Sequence, residues 1–362
     1  MRKRFSILVV SIVIIGLALS LSGVLVSQAA PVEKQQGPNR EVPKPIPATN
    51  IEVVKKVFLP EEMGGTKGKP SSPPKTEGAA SGILGNYPVT GNKYAVVIGI
   101  CDYPGTKNDL CVSDGDSLHM YKALTEFYGY EPGNIRLFKD GGGTTGPTLG
   151  GVAYDIPTYR NIYNAIMDIK SYATLGDEVV FFFSGHGTRG DALDGDTEST
   201  DEAILVWNTE DKTDDNNITY IWDGELRNWF SGFGTTRIAF VFDSCLAGGM
   251  NDVAVNGRVI SMATGETQSA YVYSKEGEDV DGDGVYDGEG VFSRLFVNEG
   301  MLQGLADKYN HTTEDPNDSG TGNGADVVVE EAFDYAKANI PPYLKVRQKP
   351  VISDGFYNDL LL

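Results

Sequence analysis

From Lys93 onward, short unbroken apolar runs alternate with stretches whose apolar residues recur at helical spacing. Residues 94–100 contain no charged position, which predicts a strand buried on both faces. Residues 178–183 and 237–242 carry the same signature after a charged first residue, Glu178 or Arg237, the first run ending in three phenylalanines. Weaker strand patterns fall at 135–138, 259–262 and 350–353, the last placed at a sheet edge. Helical spacing predicts helices over 114–128, 159–173, 223–230 and 327–339. A glycine-rich loop covers 141–151, and 184–222 reads as a polar stretch. Strands and helices that alternate in this way imply an α/β domain with a mainly parallel sheet and helices on both faces.

The first ninety residues have a different texture. Arg2, Lys3 and Arg4 precede an uncharged apolar run over 5–26, and Ser27-Gln28-Ala29 supplies small residues where a signal peptidase cuts. The run is also long enough to span a bilayer. Residues 1–29 are therefore expected to be a signal peptide or a membrane anchor, with the remainder secreted or on the extracellular face. Residues 30–90 are dominated by Pro, Gly, Lys and Gln and bury too little apolar surface to offset their ordering entropy. They read as a linker or pro-segment with one sticky stretch at 51–59. The ordered domain is expected over 91–362.

Charge narrows the choice of partner. The 362 residues carry 50 acidic against 30 basic side chains, a net charge of -20. Nucleic acid is excluded, because a phosphate backbone needs a basic footprint. Cations and basic peptide segments suit such a surface better. Three cysteines make no disulfide framework, and at least one thiol stays free.

Two predicted strands end in unusual chemistry. One runs into Ser184-Gly185-His186-Gly187, the other into Asp243-Ser244-Cys245. Sites in parallel sheets form beyond the carboxyl ends of the strands. A histidine and a cysteine delivered to that edge can meet as base and nucleophile. Glycines beside His186 leave room for a peptide backbone, and the amides of Gly187 and Cys245 can stabilise an oxyanion.

These motifs resemble the histidine and cysteine motifs of metacaspases and related caspase-like peptidases. His186 and Cys245 are 59 residues apart, close to the interval of about 50 in caspases. Cys111-Val112-Ser113-Asp114, Gly290-Val291-Phe292-Ser293 and Gln348-Lys349-Pro350 follow in matching order. The likeness covers residues 93–362. It implies a caspase-like three-layer α/β/α sandwich with a mainly parallel six-stranded sheet, and peptide hydrolysis through a thioester. Leu246-Ala247-Gly248 stands where metacaspases usually carry His-Ser-Gly, and the caspase pentapeptide is missing, so cleavage after aspartate is not implied. By resemblance, Cys111, Asp114, Ser184 and Asp243 form an acidic pocket for the residue before the cut bond, suited to arginine and lysine. The flexible segment offers Lys55, Lys56, Lys67 and Lys75 as targets for self-processing.

Calcium is the expected cofactor. Asp279, Asp281, Asp283 and Asp287, with Gly284 at the turn, match the first nine positions of an EF-hand loop; the twelfth is Gly290. A weaker echo runs from Asp315 to Asp326. The metacaspase regulatory calcium site falls, by resemblance, on Asp201, Asp223 and Asp252, with Trp222 where a further aspartate is expected. Two other readings share these features: a calcium-dependent surface binding module on an inactive caspase-like fold, and a cysteine transpeptidase.

Overall fold

The structure, a computed structural model, describes residues 40–59, 91–110, 113–195, 198, 200–273, 279–282, 284, 287–307, 309, 327–356 and 359–362. The N-terminal apolar run, Cys111, Asp283 and the 315–326 echo lie outside them. By internal contacts, Met1–Gln36 and Gly37–Leu362 are separate units; the second holds everything that follows.

The described residues build a sheet whose strands lie in the order 351–354, 258–262, 238–243, 178–184, 93–99 and 135–139. Its strands are β3 (Lys93–Gly99), β4 (Ile135–Lys139), β7 (Glu178–Ser184), β11 (Ile238–Asp243), β12 (Arg258–Met262) and β15 (Val351–Asp354). All pair in parallel except β15, which closes an edge antiparallel to β12. Alternate side chains of the inner strands enter two separate cores, as the pleat demands. Phe181, Phe183, Phe240 and Phe242 face helices α2 (Tyr159–Tyr172) and α3 (Asp223–Phe230). Val180, Phe182, Ala239 and Val241 face α1 (Asp114–Glu126), α4 (Val291–Ser293) with its continuation Arg294–Leu302, and α5 (Val329–Asn339). This is the three-layer α/β/α sandwich.

Helix α2 shows why the periodic signal was readable. Ile162, Ala165, Ile166 and Ile169 form one buried stripe. The Thr158 hydroxyl accepts from the Asn161 amide at 3.1 Å and caps the start.

Two regions carry more structure than their sequence pattern predicts. The polar stretch after β7 contains β8 (Gly187–Ala192), β9 (Asp201–Trp207) and β10 (Ile218–Trp222), an antiparallel set. Every residue of β9 is buried; its apolar run was hidden between acidic neighbours. The N-terminal segment also folds onto the domain. Strand β1 (Ala48–Val54) pairs antiparallel with β8, and β2 (Val57–Leu59) pairs parallel with β13 (Tyr271–Tyr273). A further short strand, β14 (Glu289–Gly290), flanks β13, and β5 (Gly143–Thr144) with β6 (Ala153–Tyr154) forms a small hairpin. The sticky stretch at 51–59 thus belongs to a pair of strands, held by backbone pairing and by Val53, Val54 and Leu59 packing against the core.

The centre of the sheet is tightly filled. Phe181 is fully buried and its ring meets those of Phe230, Phe240 and Phe242 at 5.7–5.9 Å. Phe181→Ala should cost about 3–5 kcal/mol, measured as a lower urea midpoint with an unchanged slope. A loss below about 1 kcal/mol would mean that the aromatic cluster is not the sheet's anchor.

Candidate active site

Strands β7 and β11 are in register, so Ser184 pairs with Asp243 at their carboxyl ends, with Gly99 of β3 level on the other side. His186 follows two residues after Ser184, and Cys245 two after Asp243. Gly187 sits between them: a Cβ there would lie 1.9 Å from the Cys245 carbonyl oxygen, so only glycine lets the two motifs approach. Leu246, just past the cysteine, has φ of 61°. That left-handed turn, disfavoured for a branched side chain, is held by the Leu246 amide donating to Gln268 O at 2.9 Å.

The imidazole of His186 is clamped on all sides. The Tyr103 ring stacks on it with 5.1 Å between centroids, and the Tyr103 hydroxyl accepts the His186 amide at 2.9 Å. Nε2 lies 2.9 Å from the Asn108 carbonyl, a contact that requires the proton on Nε2. Nδ1 is then the free base, and it accepts the Lys56 amide at 3.2 Å. Burial pushes the imidazole down to about 3, although the Asn108 carbonyl pulls the other way. Cys245 is buried beneath Val54 and Ala270, and its Sγ accepts the Ala270 amide at 3.1 Å. Burial pushes this thiol up to about 11, despite the Ala270 amide and the Lys56 ammonium. Both groups are therefore neutral while the N-terminal segment covers them.

Beside this pair lies a closed acidic pocket, and it holds Lys56. The Lys56 ammonium contacts Asp243 Oδ1 at 3.0 Å, Ser184 Oγ at 2.9 Å, Ser113 Oγ at 3.4 Å and Asp116 Oδ2 at 4.0 Å. All three charged side chains are inaccessible to solvent. Ser184 also donates to Asp116 Oδ2 at 2.6 Å. Burial drives the Asp116 carboxyl well above the ordinary carboxylate range, and the Lys56 ammonium offsets only part of that. The Gly290-Val291-Phe292-Ser293 motif fixes the two carboxylates. Ser293 donates its amide (2.9 Å) and hydroxyl (2.7 Å) to Asp243, and the Gly290 amide donates to Asp116 at 3.0 Å. A Cβ on Gly290 would meet Asp243 Oδ2 at 2.3 Å.

Of the expected pocket residues, Ser184 and Asp243 are in place and Cys111 is outside the described residues. Asp114 is not in the pocket: it turns to Lys139 at 3.3 Å, and Asp116, two residues further on, supplies the second carboxylate. Successive residues of a helix point about 100° apart, so only one of the two can face the sheet edge. Tyr103 and Asn108 were not singled out by the sequence, because neither lies in a periodic or motif-like setting, and Lys56 was read only as a target for self-processing.

Acidic residues also gather elsewhere, and the expected metal ligands fall into two of these groups. Asp201 and Asp223 meet as expected, but their third partner is Asp194, with carboxylate oxygens within 4.8 Å of one another. Asp194 Oδ1 and Asp223 Oδ2 are buried and accept no hydrogen bond. Burial raises the Asp223 carboxyl to about 9, and Asp194 and Asp252 add to it. Asp252 instead pairs with Arg227 at 2.6 Å. Asp279, Asp281 and Asp287 also come within 4.8 Å of one another. There Asp287 meets Lys139 at 3.5 Å, and the Val280 and Gly284 amides take up one oxygen each of Asp287 and Asp279.

The sandwich, with histidine and cysteine at neighbouring strand ends and an acidic pocket beside them, has the arrangement expected of caspase-like cysteine peptidases. Residues 93–254 match the family model for the metacaspase, peptidase C14 domain. Among named relatives, metacaspase-4 of Arabidopsis thaliana is 36% identical over 165 residues, 45% of this chain and 35% of that protein. Metacaspase-6 of the same plant is 33% identical over 165 residues, 45% of this chain and 40% of that protein. Metacaspase-1 of Kluyveromyces lactis is 34% identical over 116 residues, 32% of this chain and 25% of that protein. The chain thus spans well under half the length of these relatives. Protein GSU0716 of Geobacter sulfurreducens superposes with a TM-score of 0.46 at 13% identity, over 75% of this chain and all of that one.

The covered thiol gives a pH test. In the full chain, alkylation of Cys245 by iodoacetamide should still be rising at pH 10, with a midpoint near 11 rather than about 8.5 for a free thiol. Quantitation of the Cys245 peptide by mass spectrometry reads the rate. A plateau reached by pH 8 would mean that the thiol is not buried in this way.

Proposed function

We propose that this chain is an exported, calcium-dependent cysteine endopeptidase that cuts peptide bonds after arginine or lysine and processes its own N-terminal segment. The observation that carries this reading is the Lys56 ammonium buried against Asp243, Ser184 and Asp116 next to His186 and Cys245. A pocket that takes its own lysine suits a substrate cation of the same kind. Two carboxylates also match the two-pronged guanidinium of arginine.

The chemistry then follows from the ring geometry. Nδ1 of His186 accepts the Cys245 proton as sulfur attacks the carbonyl carbon of the residue held in the pocket. The imidazolium returns that proton to the leaving amine, and water hydrolyses the thioester. The amides of Gly187 and Cys245 face the position of the developing oxyanion on this reading, a contribution of about 3–4 kcal/mol per donor elsewhere.

Calcium fits Asp194, Asp201 and Asp223 better than the set Asp201, Asp223 and Asp252. Two buried carboxylate oxygens there accept no hydrogen bond, which a hard cation would satisfy, whereas Asp252 is engaged by Arg227. Bound there, calcium would supply charge that lets these carboxyls ionise together. The Asp279–Asp287 loop is the second candidate, with Lys139 already neutralising part of it. Export rests on Arg2–Arg4 and the apolar run behind them.

Fluorogenic peptides with arginine or lysine before the bond should be cut, and aspartate peptides should not. Cys245→Ala and His186→Ala should each lower turnover by about 10³-fold or more, with melting curves preserved. Asp116→Ala should cost about 2–5 kcal/mol of kcat/KM on arginine peptides. Equal rates on arginine and aspartate peptides would contradict the pocket. Cleavage of peptide without joining to an added amine separates the hydrolase from a transpeptidase.

Calcium has its own readout. Millimolar calcium should raise the melting temperature, by mass action on the folded state. Asp194→Ala and Asp223→Ala should remove most of that rise, and Asp252→Ala should keep it. A full calcium response in Asp194→Ala would return the site to the Asp201–Asp223–Asp252 set.

A further inference from the structure

Resting on that peptidase reading, we infer that residues 48–59 are a built-in inhibitor, threaded through the cleft in the direction that prevents cleavage beside Lys56. The side chain of Lys56 occupies the pocket as a substrate's would, but its backbone does not. Cutting the Lys56–Val57 bond would require the imidazole to protonate the leaving nitrogen, which is the Val57 amide. That amide donates instead to the Ala270 carbonyl at 2.9 Å, just before β13 and packed against Cys245. The ring faces the amide on the other side of the basic residue: the Lys56 N–H donates to Nδ1 at 3.2 Å. The nitrogen that must accept the thiol proton is thus already occupied.

The neighbouring bond is no better placed. For Lys55–Lys56 the leaving nitrogen would be near the ring, but the residue donating the acyl group would be Lys55. Its ammonium is exposed and bonded to the Lys107 carbonyl, outside the pocket. The bond whose leaving nitrogen faces the ring has no basic residue in the pocket on its acyl side.

Strand pairing locks this direction at both ends. On the N-terminal side, Val54 pairs with Gly187, and Val53 with Thr188, antiparallel. On the C-terminal side, Val57, Phe58 and Leu59 pair parallel with Tyr271, Val272 and Tyr273, and Leu59 is buried at the far end. A peptide entering with the opposite direction would place the amide before its basic residue at Ala270 and its leaving amide at His186. Turning the tethered segment round would break both pairings. The neutral state of the covered thiol and imidazole fits a resting enzyme. Any cutting of the segment after Lys55 or Lys56 therefore has to follow its withdrawal from the cleft, and another molecule can do it.

The test uses the full chain in four forms: wild type, Lys56→Gln, Glu52→Arg and Cys245→Ala. Glu52→Arg sets two cations together at the exposed Glu52–Arg189 pair, 2.6 Å apart in the wild type, so it loosens β1 with little risk to the fold. Labelling of Cys245 by an arginyl chloromethyl ketone reports access whether or not the protein turns over. The inference predicts labelling and arginine-peptide turnover at least tenfold faster in intact Lys56→Gln, and severalfold faster in Glu52→Arg. It also predicts that shortening of Cys245→Ala by added active protein, and of wild type on its own, accelerates with protein concentration. If the segment is instead a substrate, Lys56→Gln blocks activation. Wild type then shortens after Lys55 or Lys56 at a rate independent of concentration, and the inference fails. Faster labelling in the variants without turnover in any form would uphold the inhibitor and overturn the peptidase reading. Equal labelling and turnover in all reactive forms would do the reverse.

Discussion

A charged amine buried without water has to be matched almost atom for atom, because an unpaired ammonium in the interior costs many kcal/mol. The contact of Lys56 with Asp243 and Ser184 meets that demand, and much of the surrounding architecture serves it. Ser184 and Asp243 come from paired positions at the ends of β7 and β11. Ser293 and Gly290 hold the carboxylates from the opposite side. The pocket therefore has a definite electrostatic requirement. With Asp116 driven well up by burial, it takes a cation or takes up a proton, and a basic side chain satisfies it best.

The same segment that fills the pocket sets the state of the two reactive groups. Val54 covers the cysteine, the Lys56 amide binds the free nitrogen of His186, and burial moves thiol and imidazole apart in the direction that keeps both neutral. Withdrawal of the segment would readmit water to both and shrink that separation, since burial is the largest cause of each shift. On the proposed reading, specificity and restraint share one set of contacts, and the chain direction of the occupant distinguishes an inhibitor from a substrate.

Much of this was legible in the sequence. Residues 178–183 and 237–242 could be read as buried parallel strands because nothing polar follows their first residues, and the position of His186 and Cys245 just beyond two such strands put them at one edge. Asp114 was displaced by Asp116 because the motif fixes spacing but not which helix face meets the sheet. Asp194 was invisible, since it lies in a polar stretch and joins Asp201 and Asp223 only after β8, β9 and β10 fold. Residues 48–59 looked like part of a spacer because the Pro- and Gly-rich sequence on either side of them hid the meaning of their one sticky stretch. Their order comes from strand pairing, from the packing of Val53, Val54 and Leu59, and from a buried ion pair whose partners lie far away in sequence.

The most direct measurement of this account is the chemical accessibility of the Lys56 amine in the intact chain. Brief reductive methylation of folded Cys245→Ala protein, followed by peptide mass spectrometry, ranks the lysines by exposure. Lys56 should remain unmodified while Lys55, one residue away and exposed, reacts fully. Unfolding in urea should make the two equivalent. Equal modification of Lys55 and Lys56 in the folded protein would contradict the buried ion pair and the reading of the pocket built on it.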